Sequence, residues 1–284
     1  MASAIVDAKI YKDAAALNRE DPFLSGSLLK FPNYGQLVVT GDLHGHQRNL
    51  ERIQTFCDLD RAPARHVILH EMIHCEPEDL TAKDMSHLVL MQAAKWKRQY
   101  PDQVHFIQGN HELAQLTNHE ISKGGRIVTH DFYNGVKATY EDEADLVYQA
   151  LLEFISTFPL AARTANRIFI SHSLPGHRDV AHFDVTLFDR PLTELDLSDS
   201  GSVYPLLWGR YQNEPALAEL AERLDVDLFI CGHQPQETGY EVRFERMLIL
   251  ASDHNHGVIL PFDLRSNHTM SELVQLIRPL ASVA

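Results

Sequence analysis

Five short apolar runs in this chain end in a residue able to hold a metal ion. Leu37-Val38-Val39 leads into Gly41-Asp42-Leu43-His44-Gly45, and His66-Val67-Ile68-Leu69 leads into His70-Glu71. Val104-His105-Phe106-Ile107 ends in Gly109-Asn110-His111-Glu112. Arg167-Ile168-Phe169-Ile170 ends in Ser171-His172, and Asp227-Leu228-Phe229-Ile230 is followed by Gly232-His233. A single Asp-x-His or Asn-His is more often a turn or a cap than a site. The same placement at five run ends makes Asp42, His44, Glu71, Asn110, His172 and His233 a candidate ligand set. Carboxylate and amide oxygens mixed with imidazole nitrogens suit Mn, Fe or Zn better than Ca or Mg. A cation held by such a set can polarise a substrate oxygen and activate a bound water, so the chemistry open to these residues is metal-assisted hydrolysis.

The elements that must carry them can be read from periodicity. Each run is three or four residues rich in Val, Ile and Phe, the pattern of a strand buried on both faces. A helix is expected around Asp13–Arg19, stopped at Asp21-Pro22, and another over Arg48–Asp58, with Leu50, Ile53 and Phe56 at three-residue steps. Thr81–Tyr100 ends at Pro101, Leu146–Phe158 at Pro159, and Pro215–Leu224 opens with a proline suited to a first turn. Residues 176–206 read as irregular. Met247–Ala251 and Val258–Leu260 read as a closing pair of strands, and Met270–Leu280 as a last helix. Strand–helix alternation predicts an α/β fold: a largely buried, mostly parallel or mixed sheet with helices on both faces. In such sheets ligands bind beyond the carboxyl ends of the strands, where the ligand set falls. No repeat, low-complexity tract or linker interrupts the chain, so one domain over 1–284 is expected. Its core spans about 36–262, with 1–35 as a helical and loop extension and 263–284 as a C-terminal helix.

Gly-Asp-Leu-His-Gly at 41–45, Gly-Asn-His-Glu at 109–112, Ser171-His172 and Cys231-Gly232-His233 resemble the calcineurin-like metallophosphoesterases. Within these the chain is most similar to the phosphoprotein phosphatase group and its bacterial relatives. Arg98-Gln99-Tyr100-Pro101, Phe158-Pro159-Leu160-Ala161-Ala162, Leu206-Leu207-Trp208 and Gly239-Tyr240 support that likeness, which covers about residues 36–260. The resemblance implies a two-sheet β-sandwich flanked by helices on both sides, with a dinuclear metal site at the strand C-terminal ends. It also implies roles. Asp42 and His44 would hold the first ion, and Asn110, His172 and His233 the second. Glu71 would take the place of the bridging carboxylate, and His111 that of the general acid. The attacking group would be a hydroxide between the two ions.

The second motif departs from the family. His70-Glu71-Met72-Ile73-His74-Cys75-Glu76 stands where the group has Gly-Asp and, two residues on, Asp-Arg-Gly. Glu71 is one methylene longer than Asp, so it bridges only if its strand end sits farther back. The carboxylate that orients the catalytic histidine is replaced by His74, and the arginine that grips phosphate by Cys75, which cannot bind an anion as a guanidinium does. Glu76 or another acid is then needed to orient His111, and Arg210 or Arg48 to clamp phosphate. His70 is a candidate to replace or supplement Glu71 at the metal, or to stand in the layer behind the ligands. His254 and His256 fall in a loop expected over the site.

Net charge is −14, with no cluster of Lys and Arg, which excludes wrapping of nucleic acid. Charged residues within the first 13 positions argue against a signal peptide, and no apolar run is long enough to span a bilayer. Three scattered cysteines make no disulfide framework, so a reducing, cytoplasmic setting is expected. The expected substrate is a phosphomonoester, either a phosphoprotein or a small phosphorylated molecule. A phosphodiester or dinucleoside polyphosphate, or a degenerate site serving only for binding, are the alternatives.

Overall fold

The structure is a computed structural model that describes residues 3–75, 83–123 and 125–283. Apart from a small antiparallel pair, Ser122–Lys123 with Arg126–Ile127, the described strands form two mixed sheets. Arg278–Pro279, Val258–Asp263, Gln36–Asp42, Arg65–His70 and Val104–Ile107 lie side by side in a five-stranded sheet. Leu24–Ser25, Leu28–Phe31, Ala161–Thr164, Ile168–Ser171, Leu228–Cys231, Met247–Leu250 and Tyr240–Arg243 form a seven-stranded one. The five runs that end in metal-competent residues are therefore divided three to two between the sheets. This is the sandwich that the family resemblance implied, and it corrects the single sheet read from the alternation. Periodicity reports that a run is buried on both faces; it carries nothing about which sheet the run joins.

Burial follows the two-residue period of a strand. Leu37 and Val39 turn inward with Ile68 to meet Ile168, Ile170, Ile230, Leu248 and Leu250 of the other sheet, and these form the inner core. The alternate residues Val38, Val67, Leu69 and Phe106 face outward under the helices Ala4–Arg19, Ser86–Gln99, Val128–Tyr140 and Ala144–Ile155. On the far side Phe169, Phe229, Met247 and Ile249 pack beneath Val203–Trp208 and Glu214–Leu224. Each such side chain contributes roughly 1.5–3 kcal/mol when fully withdrawn from water.

Several boundaries differ from the sequence reading. The first helix begins at Ala4 rather than near Asp13, because Ala4, Ala8, Tyr11 and Ala15 continue its buried stripe. The third runs Ser86–Gln99, and Thr81, where it was expected to start, lies outside the described residues. Met247–Leu250 and Val258–Asp263 do not pair as closing strands but enter different sheets, parallel to Leu228–Cys231 and antiparallel to Gln36–Asp42 respectively. The last helix stops at Leu276, since Arg278–Pro279 extends to pair with Val258–Ile259. Leu28–Phe31 is a strand of the larger sheet, paired with Ala161–Thr164, so the first 35 residues are built into the sandwich.

The sheets touch at the edge where the ligand set gathers. Asp42 makes an isolated parallel bridge with Ala251. The approach there is so close that a Cβ on Gly41 would collide with the Leu250 carbonyl oxygen, so only glycine fits.

Candidate active site

A bulge aims the first ligand. Val39 pairs with Ile68 but Asp42 pairs with His70, so one residue more is used on the first strand than on the second. The turns beyond these two strands are clipped together: Leu43 and His44 N–H donate to the Glu71 carbonyl at 3.0 and 2.8 Å, and Gly45 N–H donates to Met72 at 2.9 Å. Four site residues, His44, Glu71, His74 and His233, hold positive φ of 41°, 34°, 62° and 67°. Such geometry costs on the order of 1–3 kcal/mol per residue and persists where surrounding bonds enforce it.

These turns bring all six sequence-derived donors together. Asn110 Oδ1 lies 2.6 Å from His172 Nε2 and 3.0 Å from His233 Nδ1, and the two imidazoles are 3.1 Å apart. Glu71 Oε2 sits between the halves, 3.4 Å from His44 Nε2 and 3.5 Å from His172 Nε2. Its other oxygen accepts the His111 backbone N–H at 2.9 Å. Asp42 Oδ2 accepts the His233 N–H at 2.7 Å, and its Oδ1 lies 3.5 Å from His172 Nδ1. His70 closes the back of this half: Asp42, His70 and His172 place one donor atom each within 4.8 Å of one another, as do His44, Glu71 and His111.

The donor set fits cations by two observations. Asp42 Oδ1, His172 Nδ1 and both ring nitrogens of His70 are buried with no hydrogen-bond partner among the described residues. Buried polar atoms are rarely left so. Burial and the nearby Asp253 also push the Asp42 carboxyl well above its ordinary range, despite the bond from His233. Bound positive charge would relieve that. The imidazoles are suited to donate lone pairs: burial holds His70 and His233 down at about 3 and His172 well below its usual value.

Beside the donors stands a pair of imidazoles. His111 Nδ1 is 2.8 Å from His74 Nδ1, and His74 Nε2 is 2.8 Å from Gln115 Oε1. Glu112, the last residue of the 109–112 motif, is fully buried behind them. Its Oε1 accepts the Met72 N–H at 2.7 Å, and burial raises its carboxyl to about 7. It holds the Glu71 turn in place, a task the sequence reading had not assigned. Gln115 was also missed, although it lies four residues from His111 on the Asn110–Thr117 helix and so shares its face.

Residues 35–237 match the family model for calcineurin-like phosphoesterases. The chain belongs to that family. The fold agrees with solved phosphatases at low identity. A protein serine/threonine phosphatase from Saccharomyces cerevisiae with similarity to human phosphatase PP5 superposes with a TM-score of 0.69 at 14% identity, covering 99% of this chain and 94% of that one. The cold-active protein-tyrosine phosphatase of a psychrophile Shewanella sp. gives 0.57 at 12% identity, covering 83% and 77%. Membership in the calcineurin-like phosphoesterases carries with it phosphate-ester hydrolysis and divalent metal ions, for which the side-chain groups above are the candidate holders.

The remaining sequence candidates are placed less centrally in this phosphoesterase. Arg210 is exposed but near enough for its charge to add to burial in lowering His233, and it lines a cavity of about 480 Å³ with Tyr204, Trp208 and Tyr211. Arg48 is exposed on the first turn of the Gln47–Cys57 helix. His254 Nε2 faces the Gln236 carbonyl at 2.9 Å, and His256 is exposed. Their loop is tied to the site through Ser252, whose N–H donates to Asp42 O at 3.0 Å and whose hydroxyl receives the Gly41 N–H at 2.9 Å. Glu76 lies outside the described residues. Cys75 donates to Asp84 Oδ1 at 3.0 Å, and burial with that neighbour raises its thiol to about 12. No helix is long and apolar enough to cross a membrane among the described residues.

Proposed function

We propose that this protein is a phosphomonoesterase acting on a phosphoprotein or a small phosphorylated molecule, with two cations (Mn, Fe or Zn) in one site. Asp42 and His44 would hold one, Asn110, His172 and His233 the other, and Glu71 would bridge them. The observation that carries this reading is Glu71 Oε2, set almost equally from His44 Nε2 and His172 Nε2 at 3.4 and 3.5 Å. When bound, the cations supply Lewis acidity toward phosphoryl oxygens and a water nucleophile at neutral pH. Asn110 adds a neutral carbonyl and so limits the negative charge of the site. His111, anchored through its backbone to Glu71, carries a proton at Nε2 and delivers it to the departing oxygen. Arg210 is the better placed of the two arginines to meet the phosphate, because its charge already reaches His233. His70 stands beside Asp42 and His172 as a further donor within reach of the same ion. The free thiols of Cys57, Cys75 and Cys231 support a reducing, cytoplasmic setting. Residues 1–284 act as one domain, since both sheets supply the site.

One observation favours a diester substrate instead. Cys75 stands where the resemblance places an arginine, and its thiol is engaged with Asp84. A monoanionic diester asks for less positive charge than a dianionic monoester.

The test is metal content and phosphate release in the protein purified with Mn. We expect release from 4-nitrophenyl phosphate faster than from the matched diester, abolished in Asp42→Asn. In His111→Ala it should fall by roughly 100-fold or more on poor leaving groups, with metal retained. Less than one metal per chain would overturn the reading in favour of a binding module. Diester turnover exceeding monoester turnover would replace the substrate class.

A further inference from the structure

His74 meets His111 nitrogen to nitrogen, Nδ1 to Nδ1 at 2.8 Å. Such a contact needs one donor and one acceptor, and the surrounding bonds decide which is which. The amide nitrogen of Gln115 faces the Thr129 carbonyl oxygen at 3.4 Å, an atom that only accepts, and the Tyr148 hydroxyl. Gln115 therefore turns its oxygen toward His74 Nε2, 2.8 Å away, and that nitrogen must carry the hydrogen. His74 is buried, which disfavours a charged ring, and its two ring nitrogens meet an amide oxygen and an imidazole rather than a carboxylate, so the ring is neutral. Its Nδ1 is then a lone pair, and the shared hydrogen belongs to His111 Nδ1. The hydrogen bond made by one ring nitrogen sets the role of the other.

The His74 ring is positioned from outside the ligand set. Its backbone N–H donates to Ser86 Oγ at 3.0 Å, and Phe132 packs edge-on with centroids 5.4 Å apart.

We propose that His74 is a positioning residue for His111: the neutral imidazole, anchored by Gln115, accepts the His111 Nδ1 hydrogen and so presents Nε2 to the leaving-group oxygen. This rests on the reading of His111 as proton donor. In the step, a water oxygen bonds to phosphorus as the ester P–O bond breaks, protonated His111 gives its Nε2 proton to the departing ester oxygen, and the water's proton passes to solvent, from which Nε2 is reprotonated. The bonding electron pair goes to that oxygen, and the Nδ1 hydrogen stays on His111 against His74. Nothing is oxidised or reduced.

Two substitutions separate this role from packing. His74→Asn places an amide oxygen near the position of Nδ1, whereas His74→Gln reaches toward Gln115 and leaves His111 without its acceptor. The readout is kcat with Mn across phosphate monoesters of falling leaving-group acidity, from 4-nitrophenyl phosphate to ethyl phosphate. A general acid is worth roughly 100- to 10,000-fold where the leaving group needs a proton and little where it does not. His74→Gln should therefore lose about 30-fold or more on ethyl phosphate and less than about 3-fold on 4-nitrophenyl phosphate. His74→Asn should keep the wild-type ratio, and both should bind metal as the wild type does. In the wild-type protein, imidazole ¹⁵N shifts should place hydrogens on His111 Nδ1 and His74 Nε2, a measurement independent of how the variants fold. Equal losses across the series in His74→Gln, a His74→Asn profile like that of His74→Gln, or the opposite tautomers would overturn the proposal. A His111→Ala variant indifferent to leaving group would remove the proton-donor reading and this proposal together. A leaving-group-dependent His111→Ala beside an indifferent His74→Gln removes only the role of His74.

Discussion

Glu71 holds a left-handed φ of 34°, and its Oε2 lies 3.4 Å from His44 Nε2 and 3.5 Å from His172 Nε2. Crowding governs a residue nearby. Gly232 packs so tightly on the Asp42 carboxylate that a Cβ there would overlap Oδ1, with His70 Nδ1 just beyond. Gly232→Ala should push the Asp42 side chain away from His233 N–H and His172. Overpacking of this kind costs roughly 1–3 kcal/mol, measurable by urea unfolding, and metal titration should show weakened binding. Unchanged stability with unchanged metal affinity would mean that the carboxylate has room to move.

At the scale of elements, the N-terminal segment is locked to the sandwich by a buried ion cluster remote from the active site. Asp21 Oδ2 receives Lys97 Nζ at 3.0 Å from the Ser86–Gln99 helix and faces His105 Nδ1 at 2.7 Å on the Val104–Ile107 strand. Phe23 and Phe31 cover His105 edge-on. Asp21→Asn would leave Lys97 buried without its counter-charge, a loss of roughly 3–5 kcal/mol at pH 7. Burial alone would raise the Asp21 carboxyl, but the bond with His105 and the charge of Lys97 outweigh it and hold the group far below its ordinary 3.8. Folded Asp21 thus binds its proton less readily than the unfolded chain does. Its stabilisation is complete above about pH 4 and is withdrawn as pH falls below that toward the depressed value. Urea unfolding of wild type and Asp21→Asn at pH 7, 4 and 3 should show a gap that narrows only at the lowest pH. A constant gap would detach the effect from this carboxylate.

For the whole molecule, the site is a joint between two sheets. Asp42 and Glu71 come from one, and His172 and His233 follow strands of the other. Cations gripped by both would hold the sandwich edge closed and relieve the charge pressed on buried Asp42. Metal at a hundredfold excess over its Kd should stabilise the fold by about 2.7 kcal/mol per site. Calorimetry should therefore show one cooperative transition whose Tm falls on chelation and recovers with Mn. Two separate transitions, or a Tm indifferent to chelator, would contradict the joint.

The sequence by itself determined the positions of the donors. Each stands at the end of an apolar run, and it was the repetition of that placement, not any one side chain, that picked out Asp42, His44, Glu71, Asn110, His172 and His233. Helices with a clear apolar stripe were equally legible, as at Gln47–Cys57 and Glu214–Leu224. Leu28–Phe31 and Ala161–Thr164 were not, because Lys30 and Arg163 interrupt their apolar runs and pairing with each other is what makes them strands. Only the tertiary structure decided which sheet each run joined, and that Gln115 and Tyr148 stand behind His74. It also showed that Lys97 is buried against Asp21. The physical reason is distance along the chain. Asp21 and Lys97 are 76 residues apart, and His74 and Gln115 are 41 apart. A proton's place on an imidazole, or a charge's tolerance of burial, depends on atoms that only folding brings within 3 Å.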